Sequence, residues 1–234
     1  STHCISSAAS DVYKRQNQLT ALDLSKNAAL IQLNCYNNRL TALDLSENTA
    51  LTKLFCGYNP LTELDVSRNT KLTELLCHEN QLTALDLTHN TALATVYCPN
   101  NRLTALDLSK NTALATLACS RNQLTALDLS QNTAITELYC NNNQLAALDL
   151  SRNTALTELY CNGNRLTTLD LSRNTELTKI YCDDNPLTEL NISNLSKIEE
   201  IVFGDNPEIN VIANSQTVVS DEVRHYMDGK RKTP

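Results

Sequence analysis

Tryptophan is absent from this 234-residue chain, and two Phe and eight Tyr are its whole aromatic complement. A core built on large rings is excluded; aliphatic side chains must pack it. Glycine is scarce at four residues, so tight turns need another residue type. Asparagine suits them, because its side chain bonds nearby backbone and it tolerates left-handed geometry. No apolar run approaches the roughly 20 residues of a bilayer-spanning helix. Positive charge is in deficit, at 19 Lys and Arg against 26 Asp and Glu, which disfavours nucleic acid and anionic membranes as partners. The four histidines, His3, His78, His89 and His225, sit in no fixed constellation with a nucleophile and an acid. No catalytic residue and no cofactor are expected.

What the chain does have is a period. Cys35, Cys56, Cys77, Cys98, Cys119, Cys140, Cys161 and Cys182 are each 21 residues apart, with no insertion or deletion between them. Self-similarity at such a period marks a solenoid. Nine copies fit, starting at Leu19, Leu40, Leu61, Leu82, Leu103, Leu124, Leu145, Leu166 and Leu187; the ninth carries Phe203 in place of the cysteine. Each copy holds two half-motifs. One is Leu103, Leu106, Asp107, Leu108, Ser109, Asn111; the other is Leu114, Leu117, Cys119, Asn122. Each half has a period-2 alternation, a strand signal, and closes on Asn, a turn signal. The expectation is a mostly β solenoid with two short parallel strands per coil, like strands stacked about 4.8 Å apart. Leu and Cys should point inward, and only the stack can bury them.

The pattern L-x-x-L-x-L-x-x-N, present in both halves of every unit, resembles the leucine-rich repeat family, in its bacterial class of short double-motif repeats. The resemblance spans residues 19 to about 207. It implies a non-catalytic binding module, usually for protein and sometimes for glycan, and an extracellular or cell-surface location. Two walls of 11 and 10 residues imply little curvature.

Three segments are expected: a leader at 1–18, a solenoid of nine coils at 19–207, and a degenerate cap with tail at 208–234. The leader lacks repeat character and the marks of a signal peptide. Its Asp11–Gln16 stretch resembles the translation of a transposase mosaic end, so it is read as a non-native scar and says nothing about compartment. In the cap, Ile209, Val211 and Ile212 suit one more partial coil, and Ser220 suits the start of a helix at 221–228 that ends at Gly229. Lys230, Arg231 and Lys232 are read as a solvated tail.

The cysteine row is expected to be reduced and buried, since free Cys behaves as a small hydrophobe. Equivalent positions in a parallel stack send their Cβ atoms the same way, too far apart for disulfides. They also do not converge as zinc requires, and no metal site is expected. A second row, Asp23, Asp44, Asp65, Asp86, Asp107, Asp128, Asp149 and Asp170, reads as an acidic stripe balanced by hydroxyls two residues on and a basic row at Lys26, Arg68, Lys110, Arg152 and Arg173. No calcium-loop motif accompanies it. Threonine rows (Thr41, Thr62, Thr83, Thr104, Thr125) lack the T-x-T pairing of an ice- or mineral-binding surface.

The position before each cysteine varies most: Asn34, Phe55, Leu76, Tyr97, Ala118, Tyr139, Tyr160, Tyr181. It alternates with inward residues and should face solvent, with Tyr36, Tyr58 and His78 close by. Exposed aromatics on a rigid sheet offer large contact area at low entropic cost. The expected partner-binding residues are Tyr36, Phe55, Leu76, His78, Tyr97, Tyr139, Tyr160 and Tyr181, on a monomer. The alternative is a spacer within a larger surface protein, favoured by the evenness of the repeats.

Overall fold

The computed structural model describes residues 3–4, 11–13, 18–204 and 209–213. Fourteen short strands follow in order: β1 His3–Cys4, β2 Asp11–Tyr13, β3 Leu22–Asp23, β4 Gln32–Asn34, β5 Lys53–Phe55, β6 Glu74–Leu76, β7 Thr95–Tyr97, β8 Thr116–Ala118, β9 Glu137–Tyr139, β10 Glu158–Tyr160, β11 Lys179–Tyr181, β12 Glu189–Asn191, β13 Glu200–Val202 and β14 Asn210–Ile212. Ten of them, β2, β4 to β11 and β13, form one parallel sheet. Each pairs with the strand one period away, as Leu117 does with Leu138. Helix is absent among the described residues. The fold is a parallel β-solenoid of leucine-rich-repeat type.

Period-2 alternation sets the inside. Leu33, Leu54, Leu75, Leu117, Leu138 and Leu159 are fully buried mid-strand residues, and Cys35 to Cys182 stand beside them at 0–1% exposure. The half-motif leucines complete a single continuous core. Burial pushes the Cys35, Cys98, Cys140 and Cys182 thiols up to about 12. These cysteines are free and buried, as small core residues.

The L-D-L half departs from the two-strand expectation. It forms a strand only near the ends, at β3 and β12, paired with β1 and β14. In the interior its donors are taken by side chains. Asp107 Oδ1 accepts from the Ser109 N–H at 2.9 Å, and Asn122 Oδ1 accepts from the Leu103 N–H at 3.0 Å. The same capture occurs at Ser25 and Ser193 beside β3 and β12, so it satisfies backbone donors of this half without deciding whether a ladder forms.

The ladder asparagines satisfy backbone groups, as expected of a buried amide stack, but the left-handed geometry of the turn falls to another residue. In each coil the left-handed residue precedes the ladder Asn and is variable: Asn37, Tyr58, Glu79, Asn100, Arg121, Asn142, Gly163, Asp184. The buried Asn instead stitches coils together. Asn122 Nδ2 donates to Cys98 O in the previous coil at 3.1 Å and to Cys119 O in its own at 3.0 Å. Asn111 Nδ2 donates to Leu87 O at 3.0 Å and Asn90 O at 2.9 Å.

At the N-terminal side, β2 pairs with β4 at the 21-residue offset, Val12 opposite Leu33, which carries the sheet one strand beyond Leu19. At the other side, β14 pairs with β12 and Ile209 is buried, which makes a further partial coil. The helix expected at 221–228 and the basic tail lie outside the described residues.

Candidate functional site

The outward face of the ten-stranded sheet brings the variable row together. In β4 to β11 and β13 the middle residue of three points inward, so the flanking residues lie on the outer side of the sheet. Two aromatic clusters result. In the first, Tyr36 lies 5.1 Å from Tyr58 and 5.6 Å from His78 between ring centroids. His78 meets Tyr58 edge-on at 5.2 Å and Tyr97 edge-on at 4.9 Å. Gly57 makes room for this ring: a Cβ there would stand 2.7 Å from His78 Cε1. Burial lowers the His78 pKa below its ordinary value, so the ring is neutral at pH 7.

The second cluster is a stack. Tyr139 and Tyr160 lie 4.8 Å apart at 26°, and Tyr160 and Tyr181 lie 4.5 Å apart at 10°. Carboxylates brace it. The Tyr139 hydroxyl donates to Glu158 Oε2 at 2.9 Å, and Lys179 Nζ donates to Glu158 Oε1 at 2.8 Å. The Tyr181 hydroxyl donates to Glu200. That bond, first, and burial push the Tyr181 pKa up to about 12. Burial and then the bond to Glu158 raise that of Tyr139. The Lys179 bond holds Glu158 below the usual carboxylate range.

The row expected to face solvent is more covered than that. Tyr97 is 40% exposed and Tyr58 44%, whereas Phe55, Leu76, Tyr139, Tyr160 and Tyr181 are half-buried, and Asn34 and Ala118 are buried. At 4.8 Å spacing, long side chains lean over short ones. Ala118 thereby separates the clusters. Phe55 and Leu76 sit in adjacent strands beside the first. Sequence reasoning passed over Gly57 and Glu200. The first is the one Gly just after a ladder cysteine, and the second stands one period after Lys179.

The opposite wall is polar. Each Asp accepts from the Ser or Thr two residues on, and these bonds hold Asp23, Asp86 and Asp149 below the usual carboxylate range, helped by Lys26, His89 and Arg152. Shallow depressions lie between its coils, one lined by Asp44, Glu63, Asp65 and Arg68. No group of three metal-ligating side chains occurs among the described residues, and no helix there is long and apolar enough to cross a membrane.

No protein-family model matches the sequence, and neither does any of the curated proteins. Solved structures do. The functional domain of InlJ from Listeria monocytogenes, which includes a cysteine ladder, is 40% identical, with a TM-score of 0.83 over 90% of this chain and 49% of that one. YopM, a leucine-rich effector protein from Yersinia pestis, is 27% identical, with a TM-score of 0.66 over 81% of this chain and 52% of that one. The leucine-rich repeat protein LIC12759 of Leptospira interrogans matches in fold at 20% identity, with a TM-score of 0.69 over 88% of this chain and 61% of that one. This chain thus spans about half the length of that InlJ domain. Repeat, register and cysteine ladder agree: the chain is a leucine-rich-repeat protein built of 21-residue coils.

Proposed function

We propose that this protein is a non-catalytic binding module that captures a protein partner on the aromatic face of its sheet, at the surface of a cell. One observation carries the reading: seven rings gather into two clusters on a single rigid face, Tyr36, Tyr58, His78 and Tyr97 in one and Tyr139, Tyr160 and Tyr181 in the other. Their mutual packing fixes the side chains in advance, which lowers the ordering cost of association. Aromatic anchors of this kind commonly act as hot spots. The Asp wall offers few apolar anchors, its outward residues being Ala105, Ala126 and Ala147 beside the carboxylates.

The test compares two variants in capture of partners from cell extracts, read by quantitative mass spectrometry. Tyr139→Ala/Tyr160→Ala/Tyr181→Ala combined with Tyr97→Ala should fold and lose the partner. Asp107→Asn/Asp128→Asn/Asp149→Asn should keep it. Loss with the Asp set and retention with the Tyr set would move the functional face to the acidic wall. Retention by both variants would move binding to another surface, and the absence of any specific partner with the unchanged protein would favour a spacer, a role that the evenness of the coils also suits.

A further inference from the structure

The two aromatic clusters differ in charge. Over residues 31–37, 52–58, 73–79 and 94–100, the first has Glu74, Glu79 and Lys53, and Lys53 is paired with Glu74 at 3.0 Å. Over the corresponding residues 136–142, 157–163, 178–184 and 199–202, the second has Glu137, Glu158, Asp183, Asp184, Glu199 and Glu200 against Lys179 alone. The nearby Lys197 is paired with Glu176, and Arg121 lies one coil outside.

Hydrogen-bonding capacity is just as lopsided. The Tyr139 and Tyr181 hydroxyl protons and the Lys179 ammonium already point at Glu158 and Glu200. Besides the Tyr160 hydroxyl and the Asn141 and Asn162 amides, what the patch still offers is carboxylate and phenol oxygen, so acceptors carrying negative charge dominate it. The ring faces are used as well: Tyr160 has a ring on each side, at 4.8 and 4.5 Å. A sugar, which stacks on an open aromatic face, finds none at the centre. A ligand that suits the patch brings donors, positive charge and an apolar stem to lie along ring edges. Arginine has all three, with five N–H donors in a planar fork that matches carboxylates and a stem that packs on apolar surface.

We infer that the face around Tyr139, Tyr160 and Tyr181 docks an arginine-bearing basic segment of the protein partner. This rests on the strand-face reading and narrows it to one half of the face and one partner chemistry. The row of Asp107 on the opposite wall is no rival, because its outward neighbours Ala105, Ala126 and Ala147 give an arginine stem no ring edges to lie along.

The probe is a fluorescein-labelled peptide of alternating glycine and arginine, with citrulline in place of arginine as the uncharged counterpart, followed by fluorescence anisotropy. Wild-type protein should bind the arginine peptide roughly tenfold tighter than the citrulline one, as for hydrogen bonds between charged groups. Glu137→Gln/Glu158→Gln/Asp183→Asn/Glu200→Gln should lose a similar factor. Asp86→Asn/Asp107→Asn/Asp128→Asn/Asp149→Asn removes the same charge from the other wall and should change affinity less than about twofold, the range of distant, screened charges. It should fold, since Asn191 makes the same bond to Ser193 N–H, at 3.0 Å, that the Asp residues make in other coils. Equal losses in the two variants, or equal affinity for the two peptides, would overturn the inference. If the peptides fail while the tyrosine variant still loses its partner, this inference alone falls; if that variant keeps its partner, the strand-face reading falls with it.

Discussion

Asn111 and Asn122 belong to the same coil and look equivalent in sequence, yet their replacement by Ala should cost different amounts. Asn111 donates twice, to Leu87 O and Asn90 O, while its Oδ1 is buried without a partner. Both of its acceptors keep a backbone donor when the amide goes, Asn90 N–H for Leu87 O and Leu93 N–H for Asn90 O. Removal also deletes an unsatisfied oxygen. Asn122 donates to Cys98 O, Cys119 O and Ser120 O and accepts from Leu103 N–H. Its three acceptors retain other donors, from Asn101, Asn143 and Asn100. The Leu103 N–H does not keep a partner, and Leu103 is fully buried. A net hydrogen bond contributes about 1 kcal/mol and an orphaned buried donor costs about 1–3 kcal/mol. Asn111→Ala should therefore cost about 1 kcal/mol and Asn122→Ala about 3–4 kcal/mol. The cavities left are the same size and cancel in the comparison. Urea denaturation followed by circular dichroism measures both, with a shared slope as the check that the unfolding unit is unchanged. Equal losses, or a larger loss at Asn111, would refute this division of roles.

Leu117→Ala should destabilise by roughly 2–5 kcal/mol, the usual cost of a core leucine truncation, and Thr116→Ala by well under 1 kcal/mol, both read in the same melts. Arg121→Gly should stabilise by up to about 1 kcal/mol, because Arg121 holds a φ of 52° that costs an L-residue about that much; Gly163→Ala, at φ 65° with Asn142 Oδ1 2.7 Å from the new Cβ, should destabilise. Acid should weaken the fold through the Asp row. Folded carboxyl pKa values depressed by Ser or Thr hydrogen bonds, as at Asp23, Asp107 and Asp149, give stability present above the unfolded value near 3.9 and lost as pH falls through the lower folded values. Melting temperatures between pH 5 and 2 test the sign, and replacement of these Asp residues by Asn should flatten the slope.

The coil was legible because a 21-residue period with inward Leu and Cys leaves one way to bury the chain. The aromatic row was legible by alternation, since Tyr139 flanks buried Leu138. The single-strand character of the interior coils was not, because L-D-L alternates like a strand. Nor was the burial of Ala118 and Asn34, which depends on how side chains 21 residues apart lean across a 4.8 Å gap. The left-handed residue was hidden by its variability: Tyr58, Glu79 and Arg121 carry no turn signal. The brace of Glu200 on Tyr181 joins residues 19 apart, which no local pattern exposes.

Everything proposed for the sheet face depends on its phase, because a slip of one residue would send Tyr139, Tyr160 and Tyr181 inward and the cysteines out. Thiol titration of the native protein tests that phase directly. The eight cysteines from Cys35 to Cys182 should resist a rapid thiol reagent, being 0–1% exposed with raised pKa values, and all should react once the protein is unfolded in denaturant. Rapid labelling of several of the eight in the native state would contradict the account.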